Sequence, residues 1–506
     1  MTAVDSILDR RRAGVLLHIT SLPGGIGNGD LGQDARRFVD FLADSGLSVW
    51  QTLPIGPTHS DGSPYQCMSA HAGDPLLINL EWLVDRGWLS ADVLLRTWNA
   101  DPRAFRLSAL RQAFLGFKCE PEETYYRRQF RVFCSDNAYW LDDYALYAAL
   151  RSAFGNQPWQ SWPVGFRDRD PSTLAEARWR LAWVIERIQF EQFVFFRQWE
   201  EIRRHASCRG VLLFGDMPIF VAADSAEVWA DRQNFDLDEG GVPRVVAGVP
   251  PDYFSATGQR WGNPHYNWAR MQEDGFQWWI NRLKTHLELY DLLRIDHFRG
   301  FEAYWEIPAD QETAINGRWV KAPGHELLTA FYQAFGGTSL PLVAENLGII
   351  TEEVEAMRHA FGIPGMLILQ FAFDGGPDNP YLPANHTENN VVYTGTHDND
   401  TTVSWYGGLS DDQQRGVDDQ LKDYRGDVPW PLISCALASP ARLAVIPMQD
   451  LLGLGSEARM NTPGTMSPAN WRWRFDWNQL DKGLGQRIET LARHHLRAGA
   501  RPQAPQ

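Results

Sequence analysis

Leu292-Leu293-Arg294-Ile295-Asp296-His297-Phe298-Arg299-Gly300 is the stretch on which the fold is read. A short apolar run ends on an acid, and four ionisable residues, Arg294, Asp296, His297 and Arg299, fall within six positions. Residues two apart on a strand share a face, so Arg294 and Asp296 point the same way. A guanidinium fixed beside Asp296 is expected to hold that carboxyl ionised. An Asp after a strand can instead cap the next helix, but a cap has no need of so many charges. The arrangement recurs. Glu345 follows Leu342-Val343-Ala344, Asp398 lies in Gly395-Thr396-His397-Asp398-Asn399-Asp400 after Val391-Val392-Tyr393, and Asp216 ends the run that begins at Val211. Strands that each deliver a carboxylate at their C-terminal end are how a parallel α/β barrel builds an acid–base site.

Working outward, eight short β-like runs can be counted: 14–19, 49–53, 211–215, 291–295, 340–344, 366–371, 391–394 and 443–447. Each is apolar and followed by polar, Gly or Pro residues, as fully buried parallel strands read. Helical patterns lie between several of them, at 34–44, 276–289, 324–335, 352–360 and 411–425. Eight strands alternating with helices predict an α/β fold, a (β/α)8 TIM barrel over 1–496, and no G-x-G-x-x-G supports an open sheet. Two long stretches interrupt the alternation. A mainly helical insertion is expected over 58–210, with helices at 139–154 and 172–205. A second insertion is expected over 222–275, rich in Gly, Pro and aromatics, with a lid loop at 250–264. Insertions after barrel strands sit on the catalytic face. The tail 497–506 is expected to be disordered.

The chain has 506 residues, 44% hydrophobic and 22% charged, with a formal net charge of -16. That balance argues against nucleic-acid or anionic-membrane partners, which favour clustered cations. The five cysteines form no C-x-x-C pair, and they read as reduced thiols of a cytoplasmic protein. No signal peptide and no apolar run long enough to span a bilayer is found. The 22 Trp residues suit a sugar ligand, whose C–H face packs on an indole, although a Trp-rich core would use them equally well.

Paired carboxylates are the chemical minimum for breaking a glycosidic bond. The main rival is a metal site, since Asp216, Asp296, His297, Glu345, His397 and Asp398 include suitable ligands. Against it, the first run offers His18 alone rather than an H-x-H pair, and no H-E-x-x-H occurs.

These residues and their neighbours resemble the 4-α-glucanotransferases of the amylomaltase (disproportionating enzyme) family, relatives of the α-amylases. The resemblance spans nearly the whole chain. Its motifs include Gln51-Thr52-Leu53-Pro54-Ile55-Gly56-Pro57-Thr58, Ser63-Pro64-Tyr65-Gln66, Pro250 to Pro264, Arg294 to Phe301, Ala344-Glu345-Asn346-Leu347-Gly348, Gly395 to Asp400 and Arg459-Met460-Asn461-Thr462-Pro463-Gly464-Thr465. It implies a retaining double displacement on α-1,4-glucans with no cofactor and no metal. Asp296 matches the nucleophile, Glu345 the general acid/base and Asp398 the transition-state stabiliser. Asp216, Arg294, His297 and His397 match residues that hold the donor glucose. Tyr65 and Asn461, within their motifs, join the substrate-binding set, and Tyr253, Phe254 and Trp261 belong to the lid. The resemblance also implies that no C-terminal β-sandwich follows the barrel, that the partners are maltooligosaccharides and α-1,4-glucans, and that the chain is a monomer or homodimer. Some members carry a Tyr in the loop after Gly-Pro-Thr, where this chain reads His59-Ser60-Asp61-Gly62. A hydrolase on the same scaffold and a non-catalytic glycan-binding protein are the alternatives.

Overall fold

The computed structural model describes residues 7–8, 10–95, 101–251, 255–337 and 339–499 of the chain. Among them twelve strands follow in chain order: β1 (Arg12–Leu16), β2 (Val49–Gln51), β3 (Leu212–Pro218), β4 (Val245–Val249), β5 (Gln259–Pro264), β6 (Leu292–Asp296), β7 (Ala303–Pro308), β8 (Arg318–Lys321), β9 (Leu342–Ala344), β10 (Gly365–Ile368), β11 (Asn390–Tyr393) and β12 (Leu443–Pro447). Eight form one all-parallel sheet in the order β10-β11-β12-β1-β2-β3-β6-β9. Its two ends meet where Ala344 N donates to Pro364 O at 2.8 Å and Met366 N donates to Asn346 Oδ1 at 2.7 Å. The sheet therefore curls into a nearly closed barrel, as the eight runs predict, and β12 coincides with its run residue for residue.

Strand periodicity divides the apolar residues into two cores. Leu16, Val49, Phe214, Leu292, Val343, Met366, Val391, Tyr393, Leu443 and Val445 fill the barrel interior. Their alternates, including Val15, Trp50, Leu213, Leu293, Ile295, Ala344, Val392 and Ala444, pack outward against the helices. The parity is inherited by the acids: Asp216 shares the face of Phe214, and Arg294 and Asp296 share that of Leu292. The helices Gly324–Phe335 and Glu352–Ala360 match their predicted bounds, whereas 411–425 shortens to Asp411–Leu421.

Between β2 and β3 the described residues are mostly helical. Predicted helix 172–205 is two helices, Pro171–Arg180 and Ala182–Cys208, divided at Leu181. The second is more than an insertion. Its far end lies on the barrel, with Trp199 Nε1 donating to Leu289 O at 2.8 Å and Arg203 paired to Asp291 at 3.2 Å.

A second sheet, β5-β4-β7-β8, is antiparallel and was not expected. Sequence gives no alternation for it, because its strands are short and mix Gly, Pro, Trp and charges over a small core of Val246, Ile307 and Ala314 with Trp305 and Ala309 packed against it. This corrects the reading of 250–264 as a loop: Gln259–Pro264 is strand β5, paired to β4. The sheet matters for the site because β7 starts just after the turn that follows Asp296.

The expectation of a disordered tail from residue 497 is also overturned at its start. Arg497 is fully buried, and its guanidinium donates to Leu437 O (2.7 Å), Arg12 O (2.8 Å), Ser439 O (2.6 Å) and Ala441 O (2.7 Å). These carbonyls end the helix Trp430–Ala438 and flank β1 and β12, so one side chain satisfies orphan acceptors from three segments. The rest of that tail, from residue 500, lies outside the described residues. Arg497→Ala removes this donor from the Arg12 and Ala441 carbonyls, while Arg11 Nη2 still reaches Leu437 O and Ser439 O at 3.0 and 2.6 Å; it is expected to cost on the order of 2 kcal/mol, read as a lower urea midpoint with transfer activity per folded molecule unchanged.

Candidate active site

The acids singled out in the sequence converge at the C-terminal ends of β3, β6, β9 and β11. The parallel register sets Asp216 opposite Arg294 and Pro218 opposite Asp296. Arg294, buried, reaches in two directions. Its Nη1 donates to both oxygens of Asp216 at 2.8 and 2.7 Å, and its Nη2 pairs with Asp296 Oδ1 at 2.8 Å. Tyr65 Oη donates to Asp216 Oδ2 at 2.7 Å from the loop after β2. The guanidinium thus sits between two carboxylates. Among the described residues no group of three or more His, Cys, Asp or Glu side chains is placed to hold a metal.

Glu345 is held by the backbone: His297 N donates to its Oε2 at 2.7 Å and Leu347 N to its Oε1 at 2.9 Å. His297 itself adopts a left-handed conformation, φ 52°, so the chain turns sharply just after this N–H. Its ring meets the Trp261 indole edge-on at 4.9 Å, and its buried Nε2 has no hydrogen-bond partner among the described residues. Burial lowers the His297 imidazole to about 3, with Arg299 and His265 adding to the effect, so the ring is neutral. His18 falls to about 3 as well, through burial and the nearby His397.

At Asp398 the capping falls to neighbouring residues. In the turn after β11 it is Asn399 that accepts from Thr396 N and Oγ1 (2.9 and 3.0 Å), and Asp400 that accepts from Thr401 N at 2.8 Å. Asp398 is left free of that work. Its side chain is 44% exposed and accepts from Asn461 Nδ2 at 2.6 Å. His397 lies flat on Tyr65 (5.3 Å between rings, 13° apart), with its Nε2 3.5 Å from Asp398 Oδ1.

Burial raises both Asp296 and Glu345 above the ordinary carboxylate range. For Glu345, Asp398 adds to this, while Arg294 and the two backbone donors oppose it. Asp296 is pushed up to about 8: burial comes first, Arg294 opposes it, and Asp216, Glu345 and Asp398 reinforce it. This corrects the expectation that Arg294 by itself keeps Asp296 ionised. The ion pair forms, but one guanidinium is shared with Asp216 and faces a crowd of like charges. Both carboxyls are thus biased toward the protonated form.

Tyr253 and Phe254 lie outside the described residues. Trp261 is on β5, where its carbonyl accepts from Gln66 Nε2 at 3.4 Å. Sequence reasoning assigned no role to Trp471, whose ring stands 5.8 Å from Tyr65 and 6.0 Å from His397. Its only signal was membership of an aromatic-rich stretch near the C-terminus. Among the described residues no helix is long and apolar enough to cross a membrane.

A parallel barrel with carboxylates clustered at its strand ends around a fixed guanidinium defines a class: barrel enzymes that act on glycosidic bonds through paired carboxyl groups. The comparisons narrow this. The profile of the 4-alpha-glucanotransferase family matches residues 17–479. A 4-alpha-glucanotransferase of Thermus thermophilus is 49% identical over 503 residues, covering 95% of this chain and 98% of that protein. One from Synechocystis sp. is 48% identical, covering 96% and 98%. The structure of an amylomaltase from Streptococcus agalactiae in complex with acarbose superposes with a TM-score of 0.93 at 37% identity, covering 97% of this chain and 100% of that one. The chain belongs to the 4-alpha-glucanotransferase family, and it is an enzyme that transfers glucosyl segments.

Proposed function

We propose that this enzyme moves a segment of an α-1,4-glucan to the 4-hydroxyl of an acceptor glucan or glucose by double displacement, with Asp296 as nucleophile, Glu345 as general acid and base, and Asp398 as stabiliser of the cationic transition state. The observation that carries this is the hydrogen bond from His297 N to Glu345 Oε2 (2.7 Å). It ties the acid/base to the residue next to the nucleophile and so fixes the two carboxyls relative to each other. Retention requires them roughly 5–5.5 Å apart.

In the first step an ionised Asp296 oxygen attacks the anomeric carbon, the glycosidic C–O bond breaks, and Glu345 gives its proton to the departing oxygen. In the second, Glu345 takes the proton of the acceptor 4-hydroxyl, the new C–O bond forms and Asp296 leaves. The reactive arrangement has Glu345 protonated and Asp296 ionised. The direct contact of Arg294 with Asp296 at 2.8 Å favours it. As positive charge grows on the sugar, it favours ionised Asp296 further. Asp216, Arg294, Tyr65, His297 and His397 hold the donor glucose. Neutral imidazoles suit that task, since they can donate to or accept from a hydroxyl without repelling the oxocarbenium ion.

Transfer exceeds hydrolysis only if the covalent intermediate is kept from water while an acceptor is held close. Segment 250–264 with Trp261, together with Tyr253 and Phe254, is the cover we assign to this. Maltotriose alone tests the proposal. Glucose should appear together with maltopentaose and longer chains, while the total number of reducing ends stays constant, because each transfer breaks one bond and makes one. Steady growth of reducing ends without longer products would instead identify a hydrolase.

A further inference from the structure

We infer that Arg459 is a positioning residue for the reaction, holding the Asp398 carboxylate through a closed ring of hydrogen bonds. The inference rests on the role assigned to Asp398 above. Asp216 and Glu345 are aimed by burial, but Asp398 has 44% of its side chain exposed, so little packing fixes its direction. What fixes it is the segment after β12. Arg459 Nη2 donates to the main-chain oxygen of Asp398 at 2.7 Å, and its Nε donates to the main-chain oxygen of Asn461 at 2.7 Å. Asn461 in turn donates from Nδ2 to Asp398 Oδ1 at 2.6 Å and from its backbone N to His397 O at 3.1 Å. The guanidinium thus grips the backbones of the two residues whose side chains grip each other.

The rest of the turn is braced by other groups. Buried Asp450 accepts from Thr394 Oγ1, Thr402 N and Thr402 Oγ1 at 2.6–2.7 Å, and Gln370 Nε2 donates to Asp400 O at 2.9 Å. None of these reaches Asp398 itself. Arg459 has no carboxylate within salt-bridge distance among the described residues. Both described donations of its fork go to carbonyls of this ring. A planar fork closes such a ring from two separate nitrogens in fixed directions, whereas Lys offers the donors of one freely rotating nitrogen. Because both described donations of Arg459 go to carbonyls of this ring, its loss should act through Asp398 and Asn461 and fall mainly on the transition state that Asp398 stabilises.

The test compares Arg459→Gln and Arg459→Lys with the parent enzyme on maltotriose, with folding checked by circular dichroism and melting. Both variants should lose about 10- to 100-fold in kcat with KM within about twofold, and added guanidinium ion should restore part of the loss in Arg459→Gln. In an Asp398→Asn background Arg459→Gln should cost nothing further, since coupled residues are non-additive. A folded Arg459→Gln enzyme with unchanged kcat overturns the inference. So does an equal, additive loss in the Asp398→Asn background, or a loss confined to KM. Asp398→Asn alone reports separately on the carboxylate: full activity there removes the role on which the inference depends, whatever Arg459 does.

Discussion

Asp296→Asn is expected to abolish transfer, by on the order of 10^4 to 10^6 in kcat, and at the same time to make the protein harder to melt at pH 8. The two effects have one origin. Asp296, the nucleophile proposed above, is partly buried among Asp216, Glu345 and Asp398, and its carboxyl is pushed up to about 8 despite its contact with Arg294. A raised value means that the folded state binds the proton more tightly than the unfolded chain, whose carboxyl titrates near 3.9. Below that pH both states are protonated and the site costs nothing. As pH climbs from about 4 to 8 the unfolded chain ionises freely and the folded one does not, so relative stability is lost across that window. Asn keeps the shape and an acceptor for Arg294 but never ionises. The gain in melting temperature of Asp296→Asn over the parent should therefore be small at pH 4 and grow to its full size by pH 8. A variant that lost activity without this pH-dependent gain would mean that burial does not strain the nucleophile; one that kept activity would remove Asp296 from the mechanism.

Glu345→Gln carries the second large effect. General acid–base assistance is worth about 10^2- to 10^4-fold, and Gln can neither protonate the leaving oxygen nor deprotonate the acceptor. Both steps should slow with maltotriose as donor. Gln matches Glu345 in size and keeps one acceptor oxygen, so one of the two backbone donors, His297 N on Oε2 and Leu347 N on Oε1, retains its partner and the other loses it. Two chemical controls isolate the proton. With an α-maltosyl fluoride donor, whose leaving group needs no protonation, most of the first-step loss should disappear. With azide as acceptor, which needs no deprotonation, turnover should return and yield a glycosyl azide. Failure of both rescues would assign Glu345 a structural role at the end of β9 rather than a proton-transfer role.

The sequence by itself determined the barrel and the residues at its mouth. Buried parallel strands are written as short apolar runs, and the run ends are local features, so Asp216, Asp296, Glu345 and Asp398 could be placed from spacing alone. The two-residue period even set Arg294 and Asp296 on one face, where they are paired at 2.8 Å. The second sheet was not legible, because β4, β5, β7 and β8 are stabilised by pairing with one another across distant segments rather than by a periodic apolar face. The burial of Arg497 was equally hidden: in sequence it belongs to a polar tail, and only the gathering of four carbonyls from separate segments makes a place for its charge. The same holds at the site. Which Asx residue caps the turn after β11, which backbone N–H holds Glu345, and how one guanidinium divides between Asp216 and Asp296 depend on cross-strand register. The proton balance of Asp296 is the sharpest case. Sequence showed the arginine that would hold it ionised, but only the tertiary structure brings in the burial and the three neighbouring carboxylates that outweigh it, because desolvation and Coulomb repulsion act through space and leave no local mark on the chain.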